Sequence, residues 1–280
     1  VMKSLEEDGY EIEAVRNKGY SLKKEPDILT KESCASRINT KWLGKNLMVY
    51  DVTDSTNTRL KLAGEQGAPN GSVAVANAQE AGKGRLGRHW ETPKGSALAF
   101  SLLLRPQIQP ENASMLTLVA ALAVSRAIDE YAGIKTQIKW PNDIVYQGKK
   151  LCGILTEMSA DMDQIHYVIV GIGINVQMTD FPKEIQNTAT SLKLVTGKTL
   201  LRNELLAKVL EEFEVLYLLA LKPNWVMPKT NIYHSVWGIH YHDDQIPYRT
   251  VEYVIWKIRK KMGHDIIETL VNVRYRLKKL

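Results

Sequence analysis

The alternation of polar and apolar positions changes character several times along the chain. Near the start, Tyr10, Ile12 and Ala14 alternate with Glu11 and Glu13, the period-two pattern of a half-buried strand. Arg16-Asn17-Lys18-Gly19 reads as a turn and Tyr20-Ser21-Leu22 as the return strand, so a short hairpin is expected. Residues 3–8 read as the end of a helix that Gly9 caps. Residues 23–46 are polar and mixed and read as a connector. From residue 47 short apolar runs interleave with helical ones. Strands are predicted at 47–52, 72–77, 97–104, 136–140, 144–146, 151–158 and 165–174. Helices are predicted from the N-cap candidates at 54–57 to about Gln66, over 115–131 with Gly133 as the stop, and over 202–221. Consecutive strands with tight turns, and helices set apart from them, predict an α+β fold on a mixed, mostly antiparallel sheet.

Composition changes this picture at one end. The 280 residues carry 44% apolar and 24% charged positions, ordinary for a globular protein, with a net charge of +6. Residues 221–280 hold 11 Lys and Arg against 5 Asp and Glu, so they account for the whole excess and leave 1–220 neutral. The same stretch has no Ala and no Phe, yet three of the six Trp and four of the six His. A boundary is therefore expected near Leu221. Within the tail, Val251, Val254, Ile255, Ile258 and Met262 describe an amphipathic helix ended by Gly263, and Val271, Val273, Tyr275 and Leu277 alternate like a strand. His234, His240, His242, Asp243 and Asp244 read as incidental loop residues rather than a metal cluster, since no second motif supports them. No apolar run approaches the ~20 residues that span a bilayer, so no membrane contact is expected. The polar, acidic start does not read as a signal peptide. Two cysteines make no disulfide framework, and a cytoplasmic location is the expectation.

Several segments carry chemistry. Residues 82–88, Gly-Lys-Gly-Arg-Leu-Gly-Arg, place three cations on a glycine-rich loop between two strands, a pattern suited to a phosphate or carboxylate and equally to a flexible basic hairpin tip. It is not a Walker loop, because no Gly-Lys-Ser/Thr opens a helix. Lys139-Trp140-Pro141-Asn142-Asp143 ends a strand and leaves a carboxylate beside an amide. That arrangement suits Mg²⁺ bound together with nucleotide phosphates, although an Asn-Asp turn reads the same way. Lys150 enters an apolar strand next to Gly153. Gly171 and Gly173 interrupt another strand, where a ligand or backbone approaches closely.

Taken together, these segments resemble the biotin protein ligases. The matching blocks are Asp54-Ser55-Thr56-Asn57, residues 79–90, residues 139–143, residues 150–157 and Gly171-Ile172-Gly173-Ile174-Asn175, and they run through roughly 47–220. Lys83 stands where the family more often has Arg, a change that keeps the cation and loses a bidentate fork. The resemblance implies a class II synthetase-like biotin/lipoate ligase catalytic domain over 47–221. It implies ATP and Mg²⁺ as cofactors and biotin as substrate. Biotin is activated to biotinyl-AMP and passed to a lysine of a biotin carboxyl carrier protein. By resemblance Ser55, Thr56, Asn57 and Gln79 bind biotin, with Gly82, Lys83, Gly84, Arg85, Lys150 and Gly153 completing its site. Lys150, Arg85 and Lys83 act on the reacting groups. Arg85, Arg88, Trp90, Lys139, Asn142 and Asn175 face the nucleotide, and Asp143 takes the metal.

The ends follow the resemblance less well. Residues 1–46 read as part of a winged helix-turn-helix, its recognition-helix end and wing, plus a linker. Residues 222–280 stand where the family has a small SH3-like barrel and do not show its glycine-rich strands. A homodimer is compatible with the family. DNA binding is expected to be weak and indifferent to operator sequence. Two other readings share some of these features: a lipoate–protein ligase, which has the same catalytic fold but a different glycine motif, and a DNA-binding biotin sensor without ligase activity, which the intact lysines disfavour.

Overall fold

The computed structural model describes residues 6, 9–15, 19–221, 227–228, 252, 255–256, 267–270 and 274–277. The predicted turn at 16–18, most of the helix end at 3–8 and the tail histidines lie outside these residues. Of the tail helix read over 251–262, only 252, 255 and 256 are described, all helical.

A two-stranded antiparallel hairpin opens the chain, β1 (Glu11–Val15) with β2 (Gly19–Lys24). The centre is a seven-stranded sheet of β3 (Leu47–Thr53), β4 (Ser72–Gln79), β5 (Ala97–Leu104), β6 (Gln137–Lys139), β7 (Asp143–Tyr146), β8 (Lys149–Ala160) and β9 (Ile165–Asn175). Its order is β3-β4-β5-β9-β8-β7-β6, and only the β3–β4 pair is parallel. The fold is thus the expected α+β, mostly antiparallel type.

The two faces of the sheet differ, and that difference positions the site. Leu98, Phe100, Leu102 and Leu104 of β5 point to one side with Val170, Ile172 and Ile174 of β9. Against that side pack the helices α3 (Met115–Ala132) and α5 (Arg202–Ala220), forming the main core. On the other side the central strands carry small residues: Ala97, Ala99 and Ser101 on β5, Gly171 and Gly173 on β9, and Gly153 on β8. There α2 (Thr56–Glu65) covers one end through Leu60, packed on Leu103, Tyr167 and Ile169, and leaves the rest of the face for a ligand. Because both faces are covered, β5 is buried along its whole length and reads as an apolar run with one exception, Ser101.

The segment read as a connector packs into the core. It holds a short helix, α1 (Lys31–Ala35), capped by Thr30, and buries Leu29, Cys34, Ile38 and Leu43. Two buried charges on α5 hold it. Arg202 donates from Nε to Asp27 Oδ2 at 2.9 Å and also bonds the Asp27 and Ala97 carbonyls. Glu214 accepts the backbone N–H groups of Lys41, Trp42 and Leu43. After the short helix α4 (Leu192–Thr196) and α5, the tail contributes an antiparallel sheet of β10 (Met227–Pro228), β12 (Arg274–Leu277) and β11 (Ile267–Leu270), in that order. Strand β12 lies against α5, and Ile255 is buried with the main core.

Candidate active site

The small-residue face of the sheet forms the floor of a narrow slot of about 40 Å³ lined by Thr56, Asn57, Gln79, Lys83, Trp90, Gly153, Gly171 and Gly173, among others. A larger cleft of about 640 Å³ opens between Tyr146, Lys149 and the loop around Phe181, away from these residues. Volume favours the second cleft, but the chemistry favours the first, where buried amides, hydroxyls and cations converge.

One end of the slot is a hydrogen-bonded array at the start of α2. Ser55 is the N-cap by conformation, yet its hydroxyl makes no capping bond. Asp54 accepts the Ser55 N–H at 2.6 Å and pairs with Arg59 at 2.9 Å. Burial alone would raise its carboxyl, but these contacts, with the Thr53 hydroxyl, outweigh burial and hold it below the ordinary range. Thr56 donates from its backbone N and its Oγ1 to Gln79 Oε1, at 2.8 and 3.1 Å. Gln79 Nε2 in turn donates to Thr92 Oγ1 at 3.2 Å, which fixes the orientation of that amide. Asn57 donates from Nδ2 to Glu157 Oε2 at 2.6 Å, and Ser101 Oγ lies 2.6 Å from Asn57 Oδ1 and 2.7 Å from Thr56 Oγ1. The Asn57 amide rests on Gly171, where a Cβ would stand 2.1 Å from Oδ1.

The other end lies one repeat along the strand, ~7 Å away. The Trp90 ring covers Gly153 and Gly173; a Cβ on Gly173 would sit 2.4 Å from the ring. Its indole Nε1 is buried without a hydrogen-bond partner. Lys150 holds its ammonium 2.8 Å from Asp143 Oδ1 and 5.5 Å from the centroid of the Trp90 ring. The backbone of Lys150 is tied to the loop beyond β9, accepting from Thr190 N and donating to Thr188 O. The neighbouring Cys152 is pushed far up by burial and is inert as a thiolate.

The glycine-rich loop covers the slot as a flap. Gln79–Thr92 and Lys83–His89 bridges close its two limbs, and Trp90 N donates to Gly82 O at 2.9 Å. A Cβ on Gly82 would collide with the Trp90 carbonyl at 2.3 Å, so only glycine permits this closure. Gly84 N donates to Arg88 O at 2.7 Å. At the tip Leu86 takes left-handed backbone (φ 57°) and is 90% exposed. Arg85 is exposed and reaches Asn142 Oδ1 at 2.9 Å, while Asn142 Nδ2 donates to Ile154 O.

The structure therefore brings Thr56, Asn57, Gln79, Gly82, Lys83, Trp90, Gly153 and Lys150 together, with Arg85, Asn142 and Asp143 at the same end as Lys150. It does not bring in Lys139, which is exposed on the edge strand β6, or Arg88, which is exposed on the flap. Asn175 is buried and donates to Thr190 O at 3.0 Å, holding the loop that contacts Lys150. Ser101, Thr92 and Glu157 join the site without having been singled out from the sequence. Ser101 had a signal, as the lone hydroxyl in an apolar strand. Glu157 closes the matching block at 150–157, but nothing local gave it a role, since its partner is a hundred residues away.

For a metal, Asp143 offers one carboxylate, already paired with Lys150, and Asn142 has both amide ends engaged. Among the described residues no three His, Cys, Asp or Glu gather as a metal cage. The donor set fits a Mg²⁺ that arrives on phosphates and takes one carboxylate from the protein.

Comparison with known proteins gives the family. The biotin/lipoate A/B protein ligase family matches residues 49–175. The bifunctional ligase/repressor BirA of Bacillus subtilis is 44% identical over 218 residues, covering 77% of this chain and 67% of that protein. The biotin–[acetyl-CoA-carboxylase] ligase of Paracoccus denitrificans is 40% identical over 150 residues, 52% of this chain and 61% of its own length. Among solved structures, the Aquifex aeolicus biotin protein ligase in complex with biotin and ATP aligns with a TM-score of 0.55 at 42% identity, covering 61% of this chain and 70% of the other. The C-terminal family of transcriptional regulatory proteins matches residues 203–277. This chain, which spans about two thirds of its Bacillus relative, belongs to the biotin protein ligase family.

Proposed function

We propose that the chain is an ATP-dependent biotin–protein ligase. The observation that carries this reading is the shape of the slot. An array of fixed amides and hydroxyls stands at one end, a lysine ammonium at the other, a glycine floor lies between them and a basic flap lies above. Thr56, Asn57 and Gln79 suit the ureido ring of biotin, with Ser55 at the same helix start. Lys150 suits its carboxylate, and Lys83 and Arg85 on the flap suit the phosphates. In the first step a biotin carboxylate oxygen bonds to the α-phosphorus of ATP, the bond to the bridging oxygen breaks and pyrophosphate leaves. Two anions must meet, so the cations of Lys150, Lys83 and Arg85 lower the barrier chiefly by holding them together and offsetting charge. In the second step a carrier lysine amine attacks the acyl carbon, the carbon–oxygen bond breaks and AMP leaves. The flap excludes water from the mixed anhydride meanwhile. Asp143 would hold a Mg²⁺ that arrives with ATP, and the ion would supply charge neutralisation at the phosphates.

The slot of about 40 Å³ admits a few waters at most, so a ligand of the size of biotin enters by lifting the flap and turning Trp90. The partner is a biotin carboxyl carrier protein, and the setting is the cytoplasm, where ATP and that carrier meet. The test is incubation with ATP, a carrier domain and either biotin or lipoate. Carrier biotinylation with release of AMP and pyrophosphate, stopped by chelation of Mg²⁺, is expected. Transfer of lipoate but not biotin overturns the reading.

A second activity rests on a separate observation, the basic tail and its likeness to transcriptional regulatory proteins. We propose that the tail contacts DNA phosphates, so binding weakens steeply with salt. Gel shifts at low and moderate salt, with biotin-operon and unrelated DNA, check this. Binding that ignores salt overturns it. Sedimentation with and without biotin and ATP shows whether the ligand-loaded chain forms a homodimer.

A further inference from the structure

The polar end of the slot contains a residue whose carboxylate does not line it. Glu157 lies on β8, and its Oε2 accepts from Asn57 Nδ2 at 2.6 Å. Ser101 Oγ stands 2.6 Å from Asn57 Oδ1, the other polar atom of the same amide. Asn57 and Ser101 are both buried, and the amide lies flat on Gly171. Each contact uses one donor or one acceptor position. An amide has two N–H donors and two carbonyl lone pairs. Asn57 therefore keeps one donor and one acceptor on a residue that lines the slot.

A cyclic urea presents the complementary edge, an N–H beside a C=O. The match depends on which way the Asn57 amide is turned. Turned over, its oxygen would face the Glu157 carboxylate, two acceptors with no proton between them, at a buried position where that conflict is costly. A carboxylate accepts only, so it permits one orientation. A side chain that both donates and accepts would permit either.

We infer that Glu157 is a positioning residue that locks the Asn57 amide in the orientation that reads the ureido edge of biotin. The inference rests on biotin being the ligand of the slot and adds what selects it. Glu157 acts through Asn57 and has no part in the transfer chemistry at the Lys150 end.

The experiment is calorimetric titration of the full chain with biotin and with 2-iminobiotin, in which C=NH replaces the ureido C=O, on wild type, E157A and E157Q. Loss of one charge-assisted bond to the buried amide is expected to weaken biotin binding about 10- to 100-fold in E157A. Discrimination against the imino analogue should shrink with it, because the amide is then free to turn. E157Q, whose amide both donates and accepts, holds Asn57 without fixing its orientation, so it should recover part of the biotin affinity but not the discrimination. The KM for ATP and the melting temperature should stay near wild type. A biotin affinity in E157A within about twofold of wild type overturns the inference, as does unchanged discrimination. A parallel loss of ATP affinity and thermal stability overturns it too, since that marks a merely structural role. A wild-type chain that binds no biotin overturns the functional reading together with this one. Intact wild-type binding with an indifferent E157A overturns this one alone.

Discussion

Replacing Lys150 by Ala separates chemistry from stability, because the structure assigns the two very different sizes. In the protein as it stands the ammonium is 2.8 Å from Asp143 Oδ1, but the lysine side chain is 38% exposed. A pair that wet is worth ~0.2–1 kcal/mol, so the variant should lose only a few degrees of melting temperature. With biotin and ATP bound under the flap, the same ammonium faces two anions with water excluded. Losing that contact costs ~1.5–3 kcal/mol, or roughly a ten- to hundredfold fall in adenylate formation. The assay is pyrophosphate release with biotin and ATP, beside a thermal melt. Asp143 is dissected by the same measurement. If Asp143 acts only by orienting Lys150, then Asp143→Asn adds nothing on top of Lys150→Ala, whereas an additive loss gives Asp143 its own task on the metal. Pyrophosphate release at the wild-type rate in Lys150→Ala would refute the reasoning.

Four further outcomes are expected. Gly171→Ala puts a methyl 2.1 Å from Asn57 Oδ1 and should weaken biotin binding at least tenfold by calorimetry while leaving nucleotide binding in place. Residues 81–91 should gain hydrogen-exchange protection with biotin plus ATP, and Arg85→Gly should leak biotinyl-AMP, seen as biotin on bystander lysines; exchange that ignores the ligands counts against flap closure. Arg202→Met takes the guanidinium from Asp27, which keeps only the backbone N–H of residue 202 and Gln177 Nε2, leaves the Ala97 carbonyl without that donor, and should cost ~3–5 kcal/mol in urea unfolding. Burial raises the carboxyl of Glu211, so the folded state holds its proton longer than the unfolded chain. Its stabilising share is therefore complete below the unfolded chain's value of about 4.5 and is lost as pH rises through the folded value. Melts of Glu211→Gln should gain on wild type as pH rises above about 4.5.

Most elements of the sheet were legible because each is a local pattern. The apolar run at 97–104 became β5 with those bounds, and the helix stopped at Gly133 became α3 with that residue left-handed at φ 69°. What the sequence hid is held by distant partners. Residues 27–44 look like a polar connector because their meaning lies in Arg202 and Glu214, more than 170 residues on. The Asn57–Glu157 bond spans a hundred residues in the same way. The candidate site was legible through its glycines. Gly153, Gly171 and Gly173 interrupt apolar strands, and the structure supplies the reason in the Trp90 ring and the Asn57 amide that lie on them. Lys139 shows the limit of that approach. It sits in a specific block, yet strand alternation at an edge turns it to solvent.

The same physical distinction supports the proposed boundary near Leu221. The likeness to transcriptional regulators begins at residue 203, inside α5, so that helix falls to two descriptions. Its apolar stripe cannot decide between them, because any helix on a core shows one. Its buried charges can. Arg202 and Glu214 are each about 1% exposed, and burying such groups is costly unless partners meet them. Of those partners, the Ala97 carbonyl belongs to β5 of the sheet, and Asp27 and the N–H groups of residues 41–43 belong to the connector packed into the same core. Helix α5 is thereby bound to the sheet that carries the slot. The chain changes its chemistry only after that helix, where every unit of the excess positive charge lies. The DNA contact proposed for the tail draws on no residue proposed for the biotin site, so substitutions of the tail's Lys and Arg should weaken DNA binding in gel shifts and leave biotin binding unchanged.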